Sequence, residues 1–353
     1  MPNFLIYTII FIFLTGVISF LIYFFNKKRR YEIEYNKGIE AYQAENFDEA
    51  ISFFNKATII NPEKPDGFYN LGLVYMAIEK NALSEKNFMK AIQLGPNDPD
   101  SYYNLALLYL NMENFDSALK QLSKVLTLNP EESESLYLSG LILKEQDKFD
   151  DALEFLKKAV KVSPKNTDYI FALGETYDKR GVIEQNIKDL DKAVVFYKKV
   201  IETDENNENA NYALAICSAK KGLWEDCVKY CKRVLEINDK SARAYNQMGL
   251  SMYCNSDYDA AISMYQKAVE VNPEFFETYN NYGFVLEKQG DFEKAVEMFK
   301  KYVNLLDTLE ADKKTFKTRL RELNEHEESV KLKRKVIKDH IKQLEDSIKL
   351  KNQ

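Results

Sequence analysis

The same residue types return every 34 positions along this 353-residue chain. "FYNLGLVY" (68–75) is followed by "YYNLALLY" (102–109) and preceded by "EYNKG" (34–38), which puts Asn36, Asn70 and Asn104 in phase. In registers starting at 31, 65, 99 and 133, position 8 reads Gly38, Gly72, Ala106 and Gly140. Position 20 reads Ala50, Ser84, Ala118 and Ala152; position 27 reads Ala57, Ala91, Val125 and Ala159; position 32 reads Pro62, Pro96, Pro130 and Pro164. Such a period marks one supersecondary unit that buries its apolar face only by stacking on its neighbours. Small residues at positions 8 and 20 let two antiparallel helices approach closely. Larger apolar residues at 4, 7, 11 and 24 fill the space around that contact, and proline at 32 cannot continue the second helix. Asn46, with Glu49 three residues on, reads as an N-cap with its return partner. Only 12 Gly and 8 Pro agree with long helices and argue against a turn-rich β fold.

The pattern resembles the tetratricopeptide repeat, a 34-residue helix-turn-helix unit, over residues 31–309. The resemblance implies an all-α, right-handed superhelix of about eight helix hairpins. The repeats fall at 31–64, 65–98, 99–132, 133–166, 167–207, 208–241, 242–275 and 276–309. In the fifth, Gly181 is expected to end the first helix on schedule, and "VIEQNIK" (182–188) is a seven-residue insertion, either an extended second helix or a loop. The sixth is degenerate, with Cys227 and Cys231 at positions 20 and 24 and Asp239 in place of proline. The eighth has Asp307 where proline is expected, so its second helix can run on.

The two ends differ from the body. Phe4–Phe25 is 22 residues without a charge, long enough at about 1.5 Å per residue to span a bilayer core. "NKKRR" (26–30) follows, so residues 1–30 read as one uncleaved transmembrane anchor with a basic flank. Positive charge is retained on the cytoplasmic side, which puts the body in the cytoplasm, on the inner membrane if the source is bacterial. A body exported through an inverted anchor is the rival. Residues 310–353 are expected to cap the last repeat and continue as a basic amphipathic helix. Phe316, Leu320, Leu323, Val330, Ile337, Ile341, Leu344 and Ile348 recur at alternating spacings of three and four, interrupted by Glu327 and Arg334. The stretch "VKLKRKVIKDHIKQLEDSIKL" reads as a solvated helix, a short coiled coil that self-associates, or a membrane-surface helix.

Charge bounds the partners. Residues 31–330 carry −15 between ends of +4 and +5, a field that repels nucleic acid. The resemblance places the first helix of each repeat on the inner wall, with position 6 facing a groove. Asn36, Asn70 and Asn104, then Gln247 and Asn281, would line it, with the run broken by Leu138, Ala172 and Ala213. A side-chain amide both donates and accepts, so such a ladder can hold the backbone of an extended peptide. Tyr69, Tyr103 and Tyr137 at position 5 and Leu73 and Leu107 at position 9 make the wall aromatic and aliphatic, and Asp66, Asp100 and Glu134 at position 2 make its margin acidic. That chemistry suits an extended segment with apolar and basic residues. Some family members hold acidic chaperone tails with a clamp of Lys and Arg; only Arg243 fits that clamp here. No catalytic signature, nucleotide loop or cofactor motif is present, and the two histidines, His326 and His340, have no ligand partner at metal spacing. Four cysteines without a secreted spacing fit a reducing compartment. The expectation is a membrane-anchored interaction scaffold, not an enzyme. The alternative is an assembly factor or structural oligomer working through the convex face, the insertion or the C-terminal helix.

Overall fold

The structure, a computed structural model, describes residues 2–312, 315–316 and 327–351; the side chains of residues 1–12 and 18–23 lie outside its description. The described residues form helices and connecting turns arranged in two compact units, Met1–Pro164 and Lys165–Gln353. Unit 1 is four antiparallel hairpins: α1 (Pro2–Gln43) with α2 (Phe47–Ile60), α3 (Pro65–Ala77) with α4 (Asn81–Leu94), α5 (Pro99–Asn111) with α6 (Phe115–Leu128), and α7 (Ser133–Glu145) with α8 (Phe149–Val162). Unit 2 is four more: α9 (Thr167–Ile183) with α10 (Ile187–Thr203), α11 (Glu208–Lys220) with α12 (Trp224–Ile237), α13 (Ala242–Cys254) with α14 (Tyr258–Val271), and α15 (Phe276–Gln289) with α16 (Phe292–Ala311). A last helix, α17 (Glu327–Lys351), packs on α16. Within each unit the second helix of a hairpin also packs on the first helix of the next.

The hairpins close as the small positions require. A Cβ on Gly72 would sit 2.6 Å from the Phe88 ring, and one on Gly283 would sit 2.6 Å from Phe299. Position 8 and position 24 vary together. Glycine meets Phe54, Phe88, Tyr197, Tyr265 and Phe299, as well as Leu156, whereas Ala106 faces the smaller Leu122 and Ala215 faces Cys231. These side chains are buried, and every ring at position 24 faces a glycine, so a ring is accommodated only where the Cβ is missing. Ser84, at position 20, is buried and donates to the Gly72 carbonyl at 2.8 Å.

Helix ends follow local chemistry. Pro65 and Pro99 occupy first turns, where the missing N–H costs nothing. The Asp98 carboxylate accepts from Asp100 N at 3.3 Å and Ser101 N at 3.2 Å. Asn46 stands at the N-cap of α2 without a side-chain bond, unlike Asn114, which accepts from Ser117 N at 3.2 Å. Proline is not needed to end the second helix: α12 stops at Ile237 in the repeat where Asp239 replaces it, and Asn238 N bonds the Val234 carbonyl at 2.8 Å. The last hairpin does run on, with 20 residues in α16 against 14 in α14.

The insertion departs from expectation. Gly181 does not end a helix; α9 and α10 each reach 17 residues, against 13 and 14 in the α5–α6 hairpin, so the seven extra residues lengthen both helices. Gly181 is buried because the lengthened helices converge there: a Cβ would meet Leu190 N at 3.1 Å. Arg180 Nε bonds the fully buried Asp189 at 2.7 Å and Lys192 reaches its other oxygen at 3.0 Å. Burial alone would push the Asp189 carboxyl up, but the hydrogen bonds and charges of Arg180 and Lys192 outweigh it and hold it below the ordinary range.

The C-terminal helix also differs from a solvated helix. Val330, Ile337, Ile341 and Leu344 of α17 are buried with Phe299, Tyr302, Val303 and Leu306 of α16, and Phe316 joins the same cluster. Arg334, which interrupts the apolar spacing, pairs with Asp307 at 2.8 Å and with Glu310. His340 Nε2 lies 2.8 Å from Glu287 Oε2. The face on which self-association through this helix would rest is therefore occupied by the chain's own last repeat. Leu320 and Leu323 lie outside the described residues.

Among the described residues, no helix is long and apolar enough to cross a membrane. The expected anchor, Phe4–Phe25, falls mostly on residues whose side chains are outside the description; the backbone there belongs to α1, which continues unbroken into the first repeat.

Candidate functional site

On the first-helix face of unit 1, Tyr35, Tyr69, Tyr103 and Tyr137 are all half-buried, as are Leu73 and Leu107 four residues after their tyrosines. Tyr35 leans on Phe54 at 5.9 Å between ring centroids and Tyr69 on Phe88 at 6.0 Å, so each ring is anchored by position 24 of its own repeat. Position 12 adds Tyr42, Met76 and Leu110, also half-buried, which the sequence reading did not single out. The result is an apolar stripe, partly open to solvent, that crosses each hairpin of the unit.

The asparagines are built into this stripe by a bond that the 34-residue register conceals. Asn70 Nδ2 donates to Tyr35 Oη at 3.0 Å and to the Asp66 carbonyl at 2.9 Å. Asn104 Nδ2 repeats both bonds one hairpin on, to Tyr69 Oη at 3.0 Å and the Asp100 carbonyl at 2.9 Å. Each bond joins position 5 of one repeat to position 6 of the next. Asn70, expected to line an open groove, is built into the packing between repeats instead: it is 6% exposed and both amide hydrogens already have acceptors. Asn36 is exposed, with no earlier repeat to bond, and the run stops at Leu138.

The phenols are fixed in the same way. Tyr35 and Tyr69 each accept from an asparagine. Burial, with the Asp100 and Asp98 charges, pushes the Tyr69 phenol up to about 12, so it keeps its proton at any physiological pH. Burial raises Tyr35 too, against the bond from Asn70. Each of these two links thus holds a half-buried tyrosine ring in a fixed place on the face.

Unit 2 is built differently. Asn281 Nδ2 bonds Asn246 Oδ1 at 3.1 Å, an amide-to-amide version of the same link. Gln247 does not line an open face; it is 6% exposed and its Nε2 lies 3.6 Å from Cys227 Sγ, because Asn246 beside it takes the linking place. Arg243, the sole candidate for an anion clamp, lies on the Tyr212 ring at 4.5 Å and pairs with Glu208 at 2.8 Å. Burial would raise Glu208, but Asn238 and Arg243 hold it below its ordinary value, so the guanidinium is already matched. Cys227 and Cys231 are fully buried in α12, and hydrogen bonds from Cys231, Ser251 and Gln247 lower the Cys227 thiol against the effect of burial. Among the described residues no group of His, Cys, Asp and Glu is placed to hold a metal ion.

Sequence patterns of known families match along both units. The tetratricopeptide repeat matches residues 35–99, 188–248 and 241–308, together more than half of the chain. This is a tetratricopeptide-repeat protein. The pattern of the anaphase-promoting complex, cyclosome, subunit 3, matches residues 79–159. No curated protein matches the sequence. Solved structures resembling this tetratricopeptide-repeat chain include the C-terminal part of a TPR repeat-containing protein from Cytophaga hutchinsonii, 14% identical, with a TM-score of 0.60 over 70% of this chain and 98% of that one. A tetratricopeptide repeat protein from Parabacteroides merdae is 16% identical, with a TM-score of 0.52 over 73% and 99%. YrrB, described as a TPR protein with an unusual peptide-binding site, is 22% identical over 54% and 95%, with a TM-score of 0.45. The Cytophaga and Parabacteroides likenesses, both above a TM-score of 0.5, establish the helical-repeat fold alone, and tetratricopeptide-repeat proteins are in general protein-interaction scaffolds.

Proposed function

We propose that this chain is a membrane-anchored scaffold that binds an extended segment of a partner protein on the first-helix face of unit 1. The observation that carries the reading is the half-buried stripe of tyrosine and leucine side chains that recurs in each hairpin of the unit. A stretch of partner chain laid there covers apolar rings that are now partly open to solvent. Asp66, Asp100 and Glu134 beside the stripe favour basic residues in the ligand. The matched Arg243 argues against an acidic tail as ligand in unit 2. Contacts spread along several repeats give modest losses for single substitutions.

The anchor is the apolar run Phe4–Phe25 with Lys27, Lys28, Arg29 and Arg30 on the cytoplasmic side. Since α1 runs from Pro2 to Gln43 as one helix, the first repeat follows the membrane segment with no intervening loop. Resistance of the protein to alkaline extraction from membranes, lost when residues 1–30 are removed, is the expected result; full release of the intact chain would refute the anchor.

A photocrosslinking residue at position 104, with Lys120 on the exposed side of α6 as control, tests the binding face. One discrete partner captured in cells from position 104 and not from 120 is expected. Adducts from 120 alone, with the position-104 variant melting at the temperature of the unaltered chain, would refute the face. A second reading, an assembly contact through the long hairpin, draws on Val182, Ile183 and Ile187, which are 49%, 51% and 62% exposed at its tip. The same crosslinker at Ile187 separates the two.

A further inference from the structure

The first hairpin departs from the repeat pattern on its open side, where no hairpin stacks on it among the described residues. Position 29 is polar in every later repeat, among them Gln93, Thr127, Lys161 and Asn304. In the first it is Ile59, which at 78% is the most exposed large apolar side chain among the described residues. Position 3 is small where it packs on the preceding hairpin: a Cβ on Gly67 would meet Thr58 Cγ2 at 2.9 Å, and Ser101 and Ser135 are fully buried. In the first repeat it is Ile33, 43% exposed. The two isoleucines share a groove between α1 and α2 with Arg30, Glu34, Lys56 and Ile60. The open ends of repeat stacks are ordinarily polar; this one is apolar and calls for a cover.

Charge and position name the cover. Glu34 is paired with Lys37 at 3.8 Å. Arg30 is exposed and has no ion-pair partner among the described residues, and Lys56 lies over the Phe53 ring at 5.0 Å without a carboxylate. Two unmatched cations beside two exposed isoleucines suit an amphiphilic anion. Because α1 is one helix from Pro2 to Gln43, the height of the groove over the apolar run follows from helix geometry. At about 1.5 Å per residue, Arg30 stands about 7.5 Å and Ile33 about 12 Å beyond Phe25. The polar layer of one leaflet is about 5–8 Å thick, so Arg30 is level with the headgroups and the groove opens directly over them. We propose that this open end of the first hairpin rests on the membrane surface and takes an anionic phospholipid, its phosphate between Arg30 and Lys56 and its apolar part against Ile33 and Ile59. The reading rests on the anchor proposed above. Anchor and groove together fix the direction in which the first hairpin leaves the membrane.

The test uses the full chain reconstituted into vesicles of phosphatidylcholine, alone or with increasing phosphatidylglycerol. Ile59→Trp in a Trp224→Phe background puts the one indole at the contact, on a side chain whose exposure leaves the packing undisturbed. Its emission is expected to move to shorter wavelength as phosphatidylglycerol is added, and brominated lipid should quench it. Arg30→Gln or Lys56→Gln should raise the phosphatidylglycerol fraction needed for half the shift about fivefold. Lys90→Gln, the same position as Lys56 one repeat on, should leave it unchanged. A shift of equal size in phosphatidylcholine alone overturns the anionic ligand. A shift that follows protein density and not lipid charge overturns it too, in favour of a second copy of the chain. No shift in vesicles from which alkali fails to extract the chain overturns the docking and leaves the anchor standing; extraction by alkali overturns both.

Discussion

Replacing Glu79 with glycine should stabilise this protein. Glu79 closes α3 in a left-handed conformation with φ of 57°: its own N–H bonds the Met76 carbonyl at 3.1 Å, and Lys80 N bonds the Tyr75 carbonyl at 2.8 Å. These two bonds form a Schellman turn, whose left-handed position is ordinarily glycine. The same place is filled by Glu45, Glu113, Asp147, Gln185 and Ser256 in other repeats, all at positive φ, and by Gly222 and Gly290 in two. An L-residue there carries a steric cost of roughly 1–2 kcal/mol, whereas glycine loses about 0.5–1 kcal/mol more chain entropy on folding. Glu79→Gly should therefore gain about 0.5–1 kcal/mol, or roughly 1–4 °C in Tm for a unit of this size. Glu45 lies a full repeat away, so the double variant should gain about twice that. Thermal melts followed by circular dichroism check it, with Glu79→Ala as control. Alanine removes the same carboxylate from the negative end of the helix but keeps the Cβ, and should gain at most a few tenths of a kcal/mol. If alanine raised Tm as much as glycine, or glycine raised it not at all, the strain argument would be wrong.

Gly72→Ala should cost about 1–3 kcal/mol by driving a Cβ into Phe88, and Phe88→Leu should recover part of the loss by copying the Ala106–Leu122 pair; denaturant midpoints of the two variants decide this. Asp189→Asn should cost about 3 kcal/mol by leaving Arg180 without its charge partner. Because the folded carboxyl lies below its unfolded value of about 3.9, its contribution is present above that pH and fades as pH falls through the folded value. Acid titration of stability should therefore show a steeper loss below about pH 4 in the native protein than in Asp189→Asn. Tyr35→Phe should cost about 1–2 kcal/mol by leaving a buried Asn70 N–H unbonded, and a double-mutant cycle with Asn70→Ala should show coupling of about 1 kcal/mol. Deleting residues 327–353 should uncover Phe299, Tyr302 and Val303 and abolish hydrogen-exchange protection in α15 and α16 first; unchanged protection would deny α17 a capping role.

Hairpin boundaries and core positions were legible because they obey steric rules local to one repeat. Glycine opposite an aromatic ring and proline after the second helix both show at fixed offsets within 34 residues. The insertion was located but misapportioned: Gly181 looks like a helix stop, yet its missing Cβ serves the approach of α10, and only the burial of Asp189 against Arg180 shows both helices lengthening. The C-terminal helix was harder for a similar reason. Its spacing of apolar residues marks one face without naming what covers that face, and the occupant is α16, through contacts remote in sequence.

The asparagine ladder shows where a repeat register misleads. Aligning the chain at 34 residues stacks asparagine on asparagine and suggests side chains pointing together into open space. The bonds run at a separation of 35, from tyrosine at position 5 to asparagine at position 6 of the next repeat. At that offset the extent of the ladder is countable. Tyr35–Asn70 and Tyr69–Asn104 are complete pairs, Tyr103 meets Leu138 and the run ends, and Asn246–Asn281 restores it with an amide in place of the phenol. A residue that both joins two repeats and faces a ligand cannot be altered for one purpose alone. Losing Asn104 would unlatch α5 from α3 as well as alter the binding face, so its effect on binding is interpretable only beside its effect on stability. Tyr69→Phe alters both too, but it keeps the ring that the stripe is built on, and the comparison of Phe with Ala at that position separates the hydroxyl from the ring.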